Sequence, residues 1–322
     1  MAEKNIDVAI IGAGPAGISA AIYAKRKALS VRIFESEAAG GQAAEAFVVE
    51  NYPGVERLHG AELMQKMAQH LHGFGVEIEE AAAVTKIKNL GKGKGFELEI
   101  NNGEEKAQAK AVILCTGSEY KMLNVPGEKE FYGKGVSYCA TCDGPFFKGK
   151  TVAVIGSGNS GVNAALFFSA ICKKTYLIEF LPKPTCDGIL FRALAKSNVE
   201  LLANTEVIAI NGGKEVEKVK VKDRQSGKEK EIAAGRASKK EKEIAVDGVF
   251  IYAGMKPRNE LAKKLGLRLD EKGYIAVDGK KMASMQGVFA AGDIAAELAQ
   301  IVVAAGSGAI AATSAFEYLK KQ

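Results

Sequence analysis

Asp7-Val8-Ala9-Ile10-Ile11-Gly12-Ala13-Gly14-Pro15-Ala16-Gly17 is the stretch from which the fold of this 322-residue chain is read. Its apolar half is too short to cross a membrane and runs straight into glycines spaced Gly-x-Gly-x-x-Gly, the pattern of a buried strand entering a tight turn. An apolar helix is expected to follow as far as Ala28, then a second strand, Val31-Arg32-Ile33-Phe34, ending in Glu35. The glycines permit the turn and a close backbone approach. The helix N-terminus then meets a pyrophosphate, and the acid accepts ribose hydroxyls. Three glycines alone fit any glycine-rich strand-to-helix turn; with strand, helix and an acid 23 residues after Gly12, they point to a bound dinucleotide.

The pattern occurs twice. Thr151-Val152-Ala153-Val154-Ile155-Gly156-Ser157-Gly158-Asn159-Ser160-Gly161 copies the first stretch at an offset of 144, and Glu179 again lies 23 residues after the first glycine. Two such loops imply two dinucleotides, most simply a tightly held flavin dinucleotide and an exchangeable nicotinamide dinucleotide.

Between the loops stands Tyr138-Cys139-Ala140-Thr141-Cys142-Asp143-Gly144-Pro145. A Cys-x-x-Cys pair opens and closes a small disulfide ring, which suits electron exchange. The alternatives are half of a zinc site, which would want a second Cys or His pair at ligand spacing, or a structural disulfide. Only three further cysteines exist, Cys115, Cys172 and Cys186, all scattered. An odd, dispersed set is no secreted framework, so a reducing, cytoplasmic setting is expected. Cys115 and Cys172 read as packed residues, and Cys186, in a proline-flanked loop, as exposed. No signal peptide or membrane span is expected. The net charge of +6 comes with interleaved signs, as in Lys239-Lys240-Glu241-Lys242-Glu243, a solvated surface with no nucleic-acid partner implied.

The fold class is α/β: two Rossmann-like, three-layer ββα nucleotide-binding domains, the second inserted into the first. Ala111-Val112-Ile113-Leu114-Cys115-Thr116-Gly117 reads as a strand returning to the first nucleotide. The segment 212–243 reads as a charged hairpin turning at Ser226-Gly227-Lys228, and a final small-residue helix starts near Gln300. The expected division is 1–119 and 248–322 for the flavin domain and 120–247 for the nicotinamide domain carrying the cysteine pair.

The two loops, Gly40-Gly41-Gln42, Asn51-Tyr52-Pro53-Gly54, the Cys139 to Gly144 motif and Gly287-Val288-Phe289-Ala290-Ala291-Gly292-Asp293 together resemble the low-molecular-weight thioredoxin reductase family across nearly the whole chain. The resemblance implies a homodimeric flavoenzyme that moves electrons to the disulfide of a thioredoxin or glutaredoxin-like protein. It implies that FAD is held by Gly12, Gly14, Pro15, Ala16, Gly17, Glu35, Gly41, Gln42, Asn51, Thr116, Gly117, Gly292, Asp293, Gln300 and Ile301. The nicotinamide dinucleotide would be held by Gly156, Gly158, Asn159, Ser160, Gly161 and Glu179. Cys142 would face the flavin, Cys139 would attack the protein substrate, and Asp143 would carry the proton. Leu298-Ala299 stand where the family commonly has an aromatic–Arg pair.

The donor is expected to be NADH rather than NADPH. Family members that use NADPH carry His-Arg-Arg after the second strand of the inserted domain, whereas this chain has Glu179-Phe180-Leu181-Pro182. A carboxylate there accepts from ribose hydroxyls and repels a 2′-phosphate. The string is similar to the NADH-using flavoprotein subunit of alkyl hydroperoxide reductase. A ferredoxin-dependent reductase of the same fold and an H2O2-forming NADH oxidase are the alternatives.

Overall fold

The computed structural model describes residues 5–46, 49, 51–224, 241–295 and 298–322, apart from the side chains of Asn5, Thr141, Cys142 and Glu241. The chain divides into two compact units, residues 1–119 with 256–322, and residues 120–255.

The first unit is built on parallel strands in the order Ile78–Glu79, Val31–Phe34, Asn5–Ile11, Glu105–Leu114. The last of these is long enough to serve two partners along one edge. Its first half pairs antiparallel with Phe96–Ile100, which continues to Val84–Asn89, and residues 112–114 pair parallel with Val288–Ala290. The central strand is apolar from Val8 to Ile11, where both faces are covered; Val8, Ala9 and Ile10 are fully buried. Alternate residues go to opposite layers. Val8, Ile10, Ala111 and Ile113 join a cluster with the helices Pro15–Arg26 and Ile301–Leu319, while Ala9, Ile11, Val112 and Leu114 join Phe96, Leu98 and Ile100. By length and composition the last helix could cross a membrane. Its buried face, Ala304, Gly308, Ala311, Ala312 and Ala315, instead packs in the helix layer. The approach is close: a Cβ on Gly308 would come within 2.1 Å of the Ala16 carbonyl.

The second unit repeats the plan. Five parallel strands run in the order Glu200–Leu202, Lys174–Ile178, Thr151–Ile155, Gly248–Ile251, Val136–Ser137. Val152, Val154, Leu177 and Phe250 pack with Val162, Ala165 and Phe168 of the helix Asn159–Ile171. Ala153, Ile155, Ile178 and Ile251 pack with the antiparallel sheet of Thr205–Gly212, Val216–Asp223 and Glu241–Ala245. Each unit is thus the ββα sandwich expected of the sequence.

The sequence reading ends the second domain at 247. The strand Gly248–Ile251 instead lies inside the second unit's sheet, between Thr151–Ile155 and Val136–Ser137. It is the counterpart of Glu105–Leu114, and the chain leaves the unit only after Met255. A short apolar strand carries no mark of which of two similar sheets it joins. The hairpin turn at 226–228 lies outside the described residues, and the strand that returns is Glu241–Ala245, paired with Val216–Asp223.

Candidate active site

The two glycine loops are superimposable in their reasons. Gly12 and Gly156 have φ of +104° and +96°, and a Cβ on either would stand 2.3 Å from a carbonyl, that of Cys115 or of Tyr252. Gly17 and Gly161 let the helix lie on the strand, since a Cβ would fall 1.8 or 1.9 Å from the carbonyl of the loop's first glycine. The middle glycines differ. Gly14 and Gly158 have ordinary extended backbone, φ −75° and −68°, and a Cβ there would meet nothing closer than 4.0 and 3.9 Å. Protein packing does not demand glycine at these two positions. Their bare faces are open cradles.

Gly14 and Gly158 are also the N-caps of the helices Pro15–Arg26 and Asn159–Ile171, and neither helix has a side-chain cap. First-turn N–H groups without intrahelical partners are what a pyrophosphate accepts from. The cradles and uncapped helices therefore fit dinucleotides at both loops, FAD at the first.

The acids close each loop. Glu35 Oε2 accepts from the Ala13 N–H at 2.7 Å, while Oε1 accepts from Ser36 Oγ and the Glu37 N–H at 3.1 Å each. Glu179 Oε2 accepts from the Ser157 N–H at 2.8 Å and from the Ser157 hydroxyl, and Oε1 accepts from the Leu181 N–H at 2.8 Å. A carboxylate has about four lone-pair sites, so each acid keeps one acceptor for a ribose hydroxyl. They differ in access: Glu35 is half-buried, Glu179 only 6% exposed.

The remaining candidates in the first unit gather around the first loop. The Gly40 N–H donates to the Ala13 carbonyl, and Gly41, φ +53°, lies against Gly14. Gln42 Nε2 donates to the Ser118 carbonyl at 2.9 Å, and Asn51 Nδ2 donates to Gln300 Oε1 at 2.8 Å. Gln300 caps the last helix, of which Ile301 is the first residue. Thr116 Oγ1 donates to the Arg258 carbonyl, and Gly117 takes a left-handed φ of +66° with open space beside it. Asp293 accepts from Ser118 Oγ at 3.5 Å, while the Gly292 N–H donates to Ser307 Oγ. Ala16 is a packing residue, buried under Gly292 and Gly308. Nothing in the sequence pattern marks Ser118 or Ser307; they are found only through these bonds.

In the second unit Asn159 and Asp187 bond reciprocally, Nδ2 to Oδ2 at 2.7 Å and the Asp187 N–H to Oδ1 at 2.8 Å. Ser160 is exposed.

The cysteine motif forms one helical turn, Ala140–Asp143, just after Val136–Ser137. Cys139 is disulfide-bonded, and Cys115, Cys172 and Cys186 are not in a disulfide. The Cys142 side chain lies outside the described residues. The Asp143 N–H donates to the Cys139 carbonyl at 3.2 Å, and Asp143 is half-buried. The turn is held from three sides. The Cys139 N–H donates to Ser137 Oγ at 3.0 Å, and the Ala140 N–H donates to Tyr252 Oη at 2.9 Å. Tyr138 donates to Glu128 at 2.7 Å, and that carboxylate, 1% exposed, also accepts the N–H groups of Leu123 and Asn124. Burial, then the Glu128 bond, pushes the Tyr138 phenol well above its ordinary range; burial likewise raises Tyr252. Beside the motif Tyr120, Met122, Lys129, Tyr132 and Tyr138 line a hollow of about 330 Å³.

Cys172 is half-buried, its Sγ donating to the Phe147 carbonyl, and burial with the nearby Asp247 charge pushes its thiol up to about 11. Cys186, expected to be exposed, is half-buried against the helix-side core. Among the described residues no group of three or more His, Cys, Asp or Glu could hold a metal.

Residues 6–308 match the family described as pyridine nucleotide-disulphide oxidoreductase. The chain belongs to that family. It is 41% identical to the thioredoxin reductase of Bacillus subtilis over 99% of this chain and 96% of that protein. A Bacillus subtilis protein named NADH dehydrogenase is 37% identical over 98% of this chain, which spans 59% of that protein. The crystal structure of T. acidophilum thioredoxin reductase has a TM-score of 0.85 and 43% identity, covering 99% of both chains. The chain is a thioredoxin reductase-like flavoprotein oxidoreductase that uses FAD.

Proposed function

We propose that this chain reduces the disulfide of a thioredoxin or glutaredoxin-like protein with electrons from NADH. The observation that carries the reading is the disulfide-bonded Cys139 immediately before a one-turn helix in the unit that also holds the second glycine loop. Overall, NADH, a proton and the partner's disulfide become NAD⁺ and the partner's dithiol. Bound FAD supplies the two-electron relay between a nicotinamide and a disulfide.

The residues of this chain have the following parts. Gly12, Gly14 and Gly17 with the uncapped first helix hold the pyrophosphate of FAD, and Glu35 its ribose. Gly156, Gly158, Gly161 and Glu179 do the same for NADH. The reduced Cys139 attacks the partner disulfide, forming a mixed disulfide and releasing one partner thiolate. Cys142 then attacks Cys139, releasing the second partner thiolate. Asp143 carries protons to the departing thiolates. NADH is favoured because Glu179 keeps one acceptor for a ribose hydroxyl, and a carboxylate opposes a phosphate dianion. The name of the NADH dehydrogenase relative is consistent with this choice.

The test is steady-state turnover with thioredoxin as acceptor, NADH against NADPH. The reading predicts at least tenfold higher kcat/KM with NADH, and none with Cys139→Ser. A preference for NADPH refutes the donor. Turnover by Cys139→Ser refutes the thiol route, as an oxidase with incidental cysteines would require.

A further inference from the structure

We propose that Arg224, lying flat on Phe180, is the platform on which the adenine of the dinucleotide donor stacks. This rests on the reading of the second unit as the donor's site.

The acid that ends Lys174–Ile178 is turned inward, bound by both groups of Ser157 and by the Leu181 N–H. The next residue faces out: Phe180 is 47% exposed. Its partner comes from 44 residues along the chain, at the end of Val216–Asp223. The guanidinium carbon of Arg224 sits 3.5 Å from the Phe180 ring centroid. Nη1 donates to the Phe180 carbonyl at 3.1 Å, and the Arg224 N–H donates to the Asn204 carbonyl at 2.8 Å. The cation is therefore fixed in place although the residue is exposed. Phe180 covers one of its faces.

The position is set by covalent geometry. In a dinucleotide fold the acid at the end of the second strand meets the adenosine ribose, so the adenine lies beside the residues that follow. Those residues here are Phe180 and Leu181, with Arg224 over the first. A planar cation whose motion is already restricted gives a purine a face to stack on at little further entropic cost. The motif position after the strand supplies no arginine, and the fold brings one from another strand.

The experiment uses FAD-loaded enzyme, Arg224→Ala and Arg224→Lys, and two donors: NADH and reduced nicotinamide mononucleotide, which lacks adenosine. Flavin reduction is followed by its absorbance. The expected result is a rise in KM for NADH of about tenfold in both variants, from the loss of a cation–π contact. The limiting rate should stay within about twofold, and the mononucleotide kinetics should not move. Wild-type KM for NADH in Arg224→Ala overturns the proposal. So does equal loss with both donors, which means general damage, and so does full retention by Arg224→Lys, which means a point charge rather than a stack. If wild-type enzyme does not react with NADH, the donor reading fails, and calorimetric binding of AMP to wild type and Arg224→Ala decides the platform: about tenfold weaker binding in the variant supports it, and equal binding refutes it.

Discussion

The middle glycines provide the sharpest test of the two-dinucleotide reading, because substitution should weaken binding while leaving folding nearly untouched. Gly14→Ala places a methyl group where the protein offers nothing within 4.0 Å, on a backbone at φ −75° that any residue adopts. Replacing glycine at such a position restricts the unfolded chain by about 0.4–1 kcal/mol, while alanine is a poorer N-cap than glycine by a similar amount, so the flavin-free protein should stay within about 1 kcal/mol of wild type. The same methyl points into the face that the pyrophosphate must approach. Overpacking of about 1–3 kcal/mol corresponds to roughly 5- to 150-fold weaker FAD binding. Gly17→Ala is the contrast, since its Cβ would lie 1.8 Å from the Gly12 carbonyl and the helix would have to leave the strand. Urea denaturation of flavin-free protein measures the first effect, and fluorimetric titration with FAD measures the second. Gly158→Ala should repeat the pattern on NADH alone, with FAD content unchanged, because that Cβ meets nothing closer than 3.9 Å. Gly14→Ala that binds FAD as tightly as wild type would refute the reasoning, and so would a flavin-free variant destabilised by clearly more than about 1 kcal/mol.

Further outcomes follow from the site. Glu128→Gln turns an amide NH₂ toward donors from Tyr138, Leu123 or Asn124, and should cost about 1–3 kcal/mol of stability by urea denaturation, with Tyr138→Phe milder. Glu179→Ala leaves the buried N–H of Ser157 without its acceptor and should destabilise by about 1–3 kcal/mol while raising the KM for NADH. Cys172, with its thiol pushed up to about 11 by burial and then by Asp247, has about one part in a thousand thiolate at pH 8. Its alkylation by iodoacetamide should be slow there and rise tenfold per pH unit up to about 11. A flat profile between pH 8 and 10 would contradict the assigned environment.

Much of this was legible in the residues. The alternation of apolar positions, the two glycine loops and the acids 23 residues later are local patterns. Each constrains its own strand, turn and helix through sterics and backbone hydrogen bonding. The final small-residue helix, expected from near Gln300, starts at Ile301. The cysteine pair was legible for the same reason, since its chemistry depends on a two-residue spacing.

Other features depend on which segments meet in space, and no local pattern records that. The strand Gly248–Ile251 belongs to the inserted unit because it pairs with Thr151–Ile155, although its composition would suit either sheet. Glu35 and Glu179 occupy equivalent places in the sequence and each accepts three hydrogen bonds, yet the hydroxyl comes from the neighbouring Ser36 in the first case and from Ser157 of the loop in the second, and Glu179 is the more buried. Tyr252 holds the Ala140 N–H and Arg224 lies on Phe180, each across a long stretch of chain. The sequence by itself therefore determined the two strand–turn–helix glycine loops with their acids and the Cys-x-x-Cys pair between them. Only tertiary structure decided how the pair is held, how far each acid is withdrawn from solvent, and which cation lies on Phe180, because those depend on close packing between residues that the chain order keeps apart.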